Sequence, residues 1–525
     1  MTSTTTPSAT EVSAIARATE LRGSPEARRR DGAFYTDGDV ALHLARRAIG
    51  AWLLEAAGEE PSAVDQLLAD ARDACDAVVA LASEPAARDR VVAALGELAV
   101  LDPTCGAGAF LHAAWTVLVD LDEQLDAERV SLAQLHGLDL DPDAIAACEL
   151  ALEVSARGRP GRPDLRVADA EQAGELPATD IVLGNPPYVR SSAGDQHADL
   201  VTRRVGNRSA WIVERALAAA RPGARVSFVL PISTACTDAF APARTTWDRS
   251  CSVVLTSHFD TIPSTLFSGV VQRISIFEGR RTRSDGGSAA KPARWFTSRY
   301  HRWRRDERDG LLDRVRHVAL PEHGVAGSLA KVGSEVERRL LARLFAHAPA
   351  GRLFAAPGEG AGTVRYKRRW SYFLLFTDFV PGIWDADGVL RDPTELKALD
   401  VTDALDAKVL LATYSSTLFW WYFSVFTDNR NVNRRDLAAF PLPELDGSAR
   451  ERLASLADEL MVALRACAEV RECTYRSIGT IRNTYFRQGA TRPVLDRIDA
   501  ELARAYGMSD DELAFVLDFE RRFRS

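Results

Sequence analysis

The chain has 525 residues, of which 46% are hydrophobic and 26% charged, and its formal net charge is −8. This balance is typical of globular proteins, and the length allows two to four domains of roughly 100–200 residues each. No apolar run reaches the roughly 18 residues of a membrane span, and the Ser/Thr-rich N-terminus lacks the apolar centre of a secretory signal. The seven cysteines form no CxxC pair and show no ligand spacing. We therefore expect reduced thiols, a cytoplasmic protein, no membrane contact and no metal site.

The first hundred residues are predicted to be a polar tail followed by helices. Residues 1–30 indicate a disordered tail. Ala41, Leu44, Ala45 and Ala48 fall at helical spacing and predict a helix after residue 36. Residues 51–97 are rich in Ala, Leu and Asp and predict two or three further helices, inserted before the first strand.

From Leu98 onward the pattern changes to short apolar runs that alternate with helical stretches. This alternation is typical of βαβ units and a parallel sheet. Strands buried on both faces are continuously apolar, as these runs are. The predicted strands lie at 99–101, 135–140, 165–167, 180–183 and 225–230.

The first of these strands ends at Asp102 in a glycine turn that contains Gly106 and Gly108. Glycine lets a ligand approach the backbone closely, and the helix that follows offers unpaired N–H groups to an anion. The dinucleotide fingerprint GxGxxG is absent here. The turn therefore predicts either a site for a ligand with a carboxylate or a plain strand-to-helix connection.

Two further acidic residues come at the ends of the next two strands. Asp139 ends the second strand, at the position where a ribose diol is commonly bound, whereas Asp141 is expected to cap a helix. Asp169 follows the third strand and could accept from an adenine amino group. Together with Asp102, these acids predict a nucleoside site at one edge of the sheet.

The fourth strand is followed by the sequence Asn185-Pro186-Pro187-Tyr188. Proline fixes its own backbone and restricts the residue before it, so the loop is expected to be stiff. The Asn185 side-chain oxygen and the Pro186 carbonyl could accept both N–H bonds of an aromatic amine and localise the lone pair on its nitrogen. Tyr188 could stack on the ring that carries the amine.

In their order along the chain, the phrases Phe34-Tyr35-Thr36, DPTCGAGAFL, GLDLDP, VADA and NPPY resemble the gamma-class DNA adenine-N6 methyltransferases, the TaqI type. The resemblance implies a Rossmann-like α/β domain that uses S-adenosyl-L-methionine, followed by a mixed α+β target-recognition domain and a helical tail. It implies that Phe34, Tyr35, Thr36 and Phe110 line the cofactor pocket. It also implies that Phe267 stacks on a flipped base.

The implied domains are a catalytic domain at 31–280, a target-recognition domain at 281–445 and a helical region at 446–525. Arginines and lysines outnumber acids twelve to five over residues 280–316. Lys367, Arg368 and Arg369 form a second basic cluster, and Arg430, Arg434 and Arg435 form a third. These clusters indicate either contact with double-stranded DNA or an ordinary solvated surface. The aromatic run 418–423 predicts a buried helix.

The predicted activity is site-specific methylation of adenine N6 in DNA, as part of a restriction–modification or phage-defence system. No convincing nuclease motif accompanies it, so a restriction endonuclease or defence subunit would be a separate partner. Three alternatives stay open: an NPPY-type enzyme that acts on RNA or protein glutamine, a cytosine-N4 methyltransferase, and a catalytically silent DNA-specificity subunit.

Overall fold

The structure is a computed structural model. It describes residues 36–172, 174, 176–191, 197–267, 272–283, 292–321, 325, 327–369, 374–475 and 479–523. The predicted tail at 1–30, together with Phe34 and Tyr35, lies outside these ranges. The chain divides into two compact units. Unit 1 comprises Met1–Leu320 and Lys331–Gly333, and unit 2 comprises Pro321–Ala330 and Ser334–Ser525.

The described part of unit 1 begins with four helices, as the sequence from residue 36 to 97 predicts: α1 (Gly38–Ala56), α2 (Pro61–Ala69), α3 (Ala74–Leu81) and α4 (Pro85–Glu97). Proline at the first turn favours the starts of α2 and α4, since its missing N–H would have no helical partner there. Asp73 caps α3 by accepting from the backbone N–H groups of Cys75 and Asp76. The apolar face of α1 is buried in the core of the unit.

A sheet of nine strands forms the centre of unit 1. The strands are β1 (Val100–Asp102), β2 (Leu135–Asp139), β3 (Asp164–Val167), β4 (Ile181–Gly184), β5 (Arg225–Pro231), β6 (Cys251–Phe259), β7 (Ile274–Arg281), β8 (Arg294–His301) and β9 (Val318–Ala319). Their order is β3-β2-β1-β4-β5-β7-β6-β8-β9, and β1 to β5 are parallel. The predicted α/β class with a largely parallel sheet is confirmed.

Five helices connect these strands: α5 (Ala109–Gln124), α6 (Pro142–Val154), α7 (Arg208–Ala219), the single-turn α8 (Ser233–Cys236) and α9 (Ala241–Ser250). The strand order reverses between β1 and β4, which is a topological switch point. Ligands of open α/β sheets bind outside the carboxyl ends of the strands at such a point. The topology therefore directs attention to the residues that follow β1, β2, β3 and β4.

The division between the two units differs from the predicted domain boundary at 280. Residues 281–320 lie in unit 1 because β8 pairs in parallel with β6 and β9 pairs with β8, which extends the sheet beyond β6. The basic residues of 280–316 made these strands hard to predict, because only Thr297, Ser298 and Tyr300 of β8 are fully buried and they do not alternate.

Buried ion pairs hold the N-terminal helices against the sheet. Arg47 of α1 donates to Glu278 of β7 at 2.7 Å, and both side chains are buried. Arg225 of β5 pairs with Glu55 of α1 and with Asp65 of α2. A charge buried in this way needs a partner, so these pairs fix how the helices sit on the strands.

Unit 2 is mixed α and β. Its helices are α10 (Glu335–Phe345), α11 (Ala404–Ser415), α12 (Thr417–Phe426), α13 (Arg434–Ala439), α14 (Gly447–Ala466), α15 (Arg492–Tyr506) and α16 (Asp510–Asp518). One sheet joins β10 (Gly362–Lys367), β11 (Phe376–Thr377) and β13 (Leu396–Val401). A second joins β12 (Ile383–Trp384), β14 (Ala468–Tyr475) and β15 (Gly479–Phe486).

Two predictions for unit 2 have opposite outcomes. The aromatic run 418–423 is a buried helix as predicted, since every residue of α12 is buried. The region 446–525, predicted to be helical, is helical only in part: α14 ends at Ala466, and the hairpin of β14 and β15 follows it. β-Branched and aromatic side chains favour the hairpin, and cross-strand pairs such as Thr474 with Thr480, 2.9 Å apart, stabilise it.

Within the described ranges, no single helix combines the length and the apolar composition needed to cross a membrane. The helices α11 and α12 reach both only when they are taken together, and they are bent by 68° at the break between them.

Candidate active site at the carboxyl edge of the sheet

The turn after β1 has the backbone conformation that its glycines predict. Gly106 has φ 52° and Gly108 has φ 92°, a region that favours glycine. A Cβ at Gly108 would lie only 2.5 Å from the sulfur of Cys148, so the turn packs tightly against α6. Helix α5 then begins at Ala109 without a capping side chain. Its first N–H groups are therefore left to a ligand or solvent.

Asp139 connects the end of β2 to this turn. One carboxylate oxygen accepts from the Gly106 N–H at 2.9 Å, and the other accepts from the Asp141 N–H at 2.9 Å. Burial raises the pKa of the Asp139 carboxyl. Each oxygen keeps a second lone pair for a hydroxyl donor. Asp141 caps α6, as predicted, by accepting from the Asp143 N–H.

Asp169 lies beside the end of β2, because the N–H of the preceding Ala168 donates to the Asp139 carbonyl at 3.0 Å. Its carboxylate accepts from the Glu171 N–H at 3.0 Å and lies 3.9 Å from a guanidinium nitrogen of Arg208. Sequence reasoning did not identify Arg208, which is at the start of α7 and carries no recognisable motif.

Asn185 follows β4 directly, at the switch point. Its side-chain NH₂ donates to the Thr36 hydroxyl at 3.1 Å. The Tyr188 hydroxyl lies 2.5 Å from the Asn185 side-chain oxygen and 3.1 Å from the Val229 carbonyl. The Asn185 amide is thus held on one side by Thr36, which precedes α1, and on the other by Tyr188 of its own loop.

The approach of β4 to β1 also depends on Gly184, which the sequence analysis did not single out. A Cβ at Gly184 would lie 3.0 Å from the Phe228 ring and 3.2 Å from a carboxylate oxygen of Asp102. Asp102 is buried and accepts from the Thr104 N–H at 3.0 Å. A larger residue at 184 would require the Phe228 ring or the Asp102 carboxylate to shift by a few tenths of an ångström.

The structure brings most of the predicted site residues of unit 1 to one edge of the sheet: Thr36, Asp102, Gly106, Gly108, Asp139, Asp169, Asn185, Pro186, Pro187 and Tyr188. Two aromatic residues of the predicted site are buried, and their roles toward cofactor and base stay predictions. Phe110 and Phe267 are each 2% exposed and belong to the apolar core, so neither ring is presented to a ligand in this conformation. Tyr188 also packs against that core, and its stacking role stays a prediction.

Several arginines of the basic stretch 280–316 pair with acids inside unit 1. Arg294 donates to Asp65, and Arg302 donates to Asp260, each at 2.7 Å. Arg308 makes two hydrogen bonds to Asp39, at 2.7 and 2.8 Å. These cations neutralise neighbouring carboxylates, which explains how so basic a stretch occurs in an acidic chain.

The two basic clusters of unit 2 are joined in the structure. The Val432 N–H donates to the Arg368 carbonyl at 2.8 Å, and Arg369 forms an isolated β-bridge with Asn431. We call the exposed cations on these two segments the basic surface: Lys367, Arg368, Arg369, Arg430 and Arg435. Arg434 is engaged elsewhere, because its guanidinium lies 5.1 Å from the Phe354 ring and donates to the Ala355 carbonyl.

No protein-family model matches the sequence, and no curated protein matches it. Solved structures do. The type IIL restriction–modification enzyme MmeI, solved in complex with DNA, is 13% identical with a TM-score of 0.54, over 97% of this chain and 81% of MmeI. The type IIG restriction endonuclease BpuSI is 11% identical with a TM-score of 0.35, over 98% of this chain and 79% of BpuSI. DrdV, solved in complex with DNA, is 13% identical with a TM-score of 0.43, over 71% of this chain and 38% of DrdV.

At such low identity, the likeness to MmeI shows that the two chains share a fold. The two smaller TM-scores add nothing to that conclusion.

Proposed function

We propose that this chain is an S-adenosyl-L-methionine-dependent DNA methyltransferase that methylates N6 of an adenine turned out of the duplex. The position of Asn185 carries the proposal. This amide follows β4 at the switch point of the sheet. It lies at the same carboxyl edge as the glycine turn, whose Gly106 N–H donates to Asp139. MmeI, a restriction–modification enzyme solved with DNA, has the same fold, which supports a DNA substrate.

The residues around the turn fit S-adenosyl-L-methionine. The Asp139 carboxylate suits the two ribose hydroxyls, and the Asp169 carboxylate suits the amino group of the cofactor's adenine. The uncapped start of α5 suits the carboxylate of the methionine part. When bound, this cofactor supplies a methyl group on a positively charged sulfonium.

The NPPY loop is proposed to bind the amine that becomes methylated. The Asn185 side-chain oxygen and the Pro186 carbonyl accept the two N–H bonds and bias the nitrogen toward tetrahedral geometry. An amide oxygen has two lone pairs, so the bond from Tyr188 leaves one for the substrate. The protein's contribution is then positioning and preorganised polarity.

The basic surface of unit 2 is proposed to contact DNA phosphates. Lys367, Arg368 and Arg369 extend from the end of β10, and Arg430 and Arg435 lie on the segment bonded to them. Cations of this kind position a protein on the duplex without reading its sequence.

A restriction endonuclease or a defence subunit would be a separate partner, and the cytoplasm is the expected compartment.

Single-turnover methylation with radiolabelled cofactor tests the proposal, using DNA from cells that lack methyltransferases. Asn185→Ala should slow methyl transfer by about 100-fold or more, the scale of losing one preorganised polar contact. Binding of DNA and of cofactor should persist. Tyr188→Ala should lose about 1–3 kcal/mol of base stacking, and Tyr188→Phe should be milder. A wild-type chain that transfers no methyl group to DNA, or an Asn185→Ala variant with normal turnover, would refute the proposed role.

A further inference from the structure

Thr36 lies at the carboxyl edge of the sheet of unit 1, two residues before α1. Its side chain is directed to Asn185. It is 4% exposed, and its hydroxyl lies 3.1 Å from the Asn185 side-chain nitrogen. An amide NH₂ only donates, so the Thr36 oxygen accepts this bond. The family resemblance places Thr36 in the cofactor pocket, whereas the structure directs its hydroxyl to the catalytic loop.

For the proposed transfer, the Asn185 amide must present its oxygen, and not its NH₂ group, to the substrate amine. The last side-chain torsion of asparagine is broad and roughly two-fold, so an unrestrained amide can turn its oxygen and its NH₂ group in either direction. If the NH₂ group faced the substrate amine, donors would meet donors and the lone pair would not be localised. In the structure, Thr36 holds the nitrogen and the Tyr188 hydroxyl bonds to the oxygen.

Rigid elements support both contacts. Arg308 makes two hydrogen bonds to Asp39 in the first turn of α1, which fixes the end of the helix that Thr36 precedes. On the other side, the Tyr188 hydroxyl also lies 3.1 Å from the Val229 carbonyl of β5. The Asn185 amide is thus held between Thr36, which precedes a helix, and Tyr188 of its own loop, whose hydroxyl also lies against a buried strand.

We propose that Thr36 is a positioning residue for the transfer step: its hydroxyl fixes the Asn185 amide with the oxygen toward the substrate amine. This inference rests on the proposed function. It assigns Thr36 to the rate of transfer rather than to cofactor affinity.

The test compares three substitutions in the single-turnover assay and measures cofactor affinity by calorimetry. Thr36→Val keeps the volume and removes the acceptor, and it should slow transfer at saturating cofactor by about 10- to 100-fold, as expected when a catalytic group is misplaced. Thr36→Ser keeps the hydroxyl and should restore most of the rate. Cofactor affinity should stay within about twofold in both, since the polar partners of the bound cofactor are unchanged.

Thr179→Val is the matched control. Thr179 is fully buried before β4, at the opposite edge of the sheet, and its hydroxyl has no hydrogen-bond partner among the described residues. This substitution should leave the transfer rate unchanged. If Thr36→Val does not fold, Thr36→Ala against Thr36→Ser makes the same comparison.

The outcomes separate the proposed function from the role of Thr36. A wild-type chain without DNA methylation would refute the proposed function, and the role of Thr36 with it. Normal methylation by both wild type and Thr36→Val would overturn only the Thr36 inference. Weaker cofactor binding with a normal rate at saturation would also overturn it, because Thr36 would then serve the cofactor pocket alone.

Discussion

At the scale of single residues, Asp139 both shapes the glycine turn and presents its carboxylate to the proposed cofactor. Asp139→Ala removes the acceptor for the Gly106 N–H as well as the proposed partner of the ribose hydroxyls. We expect S-adenosyl-L-methionine binding to weaken by roughly 1–3 kcal/mol, the cost of leaving polar partners unmatched. Calorimetry measures this directly, and an unchanged affinity would remove Asp139 from the site.

The ionisation of Asp139 gives a separate prediction. Because burial raises the pKa of this carboxyl, acidification protonates it at a pH where an ordinary aspartate is still ionised. Cofactor affinity should therefore begin to fall at that higher pH. Asp139→Asn should bind more weakly at neutral pH and lose this part of the pH dependence. Parallel acid profiles for the two proteins would contradict the assignment.

Cys105 lies in the glycine turn, and its thiol is not expected to take part in methyl transfer. Hydrogen bonding with Cys148 and burial raise the pKa of the Cys105 thiol well above its usual value. A protonated thiol is a poor nucleophile, so Cys105→Ser should keep its activity and no covalent protein–DNA adduct should be trapped. Loss of activity in this variant, together with an adduct in the wild type, would show that the transfer is not direct.

The residues of the candidate site could be predicted from the sequence only in part. Asp139 and Asn185 follow apolar strands, and parallel strands place their carboxyl ends at one edge, so their proximity follows from the pattern. The contact between Thr36 and Asn185 joins residues 149 positions apart and has no local signal. The burial of Phe267 likewise depends on tertiary packing, which a short motif does not specify.

At the scale of elements, the attachment of α1 to the sheet predicts a large stability effect. Burial alone raises the pKa of Glu278, but the charge and hydrogen bond of Arg47 outweigh it and hold that pKa below its usual value. A carboxyl whose pKa is depressed on folding stabilises the protein above its unfolded pKa. This contribution is lost as the pH falls through the depressed folded value.

Glu278→Gln would leave Arg47 with a buried, uncompensated charge. We expect the free energy of unfolding to fall by about 3–5 kcal/mol at neutral pH and to depend less on pH in the acid range. Urea unfolding followed at several pH values measures both effects. Glu123→Gln, which breaks an exposed pair with Arg157 at 3.6 Å, is the matched control and should cost about 0–1 kcal/mol. Equal losses in the two variants would contradict the structural role of the buried pair.

The basic surface of unit 2 gives a prediction about salt dependence. If Arg430 and Arg435 contact phosphates, replacing each with Ala should reduce the slope of log K against log salt by about one unit. Arg434→Ala should change the slope less, since its guanidinium is held by Phe354 and the Ala355 carbonyl. Arg497→Ala, an exposed cation paired with Glu459, is the control. Identical slopes for all four variants would make the basic surface an ordinary solvated one.

The elements themselves were unequally predictable. The strands β1, β4 and β5 are buried along their whole length, and continuous apolar runs identified them. The hairpin of β14 and β15 was missed because many of its residues are exposed, and arginines such as Arg471 and Arg482 lie between the β-branched positions. Exposed strands lack the alternating apolar pattern on which the prediction of a strand depends.

At the scale of the whole molecule, the net charge of −8 gave little guidance, because many cations are matched within their own unit. Asp65 alone pairs with Arg225, Arg280 and Arg294. The division near residue 320 was not predicted for the same reason: the basic stretch 280–316 resembles a nucleic-acid surface, but it contains β8, which lies between β6 and β9 in the sheet. Charge counts along a sequence do not show which acids those charges meet in the fold.

The central claim concerns the atom that is methylated, and one measurement tests it most directly. DNA from cells expressing the wild-type chain is digested to nucleosides and compared with DNA from cells expressing Asn185→Ala. We expect N6-methyl-2′-deoxyadenosine in the first sample and its loss in the second, when both proteins are present in equal amounts. N4-methyl-2′-deoxycytidine in place of N6-methyl-2′-deoxyadenosine, or no modified nucleoside from the wild-type chain, would contradict adenine-N6 methylation.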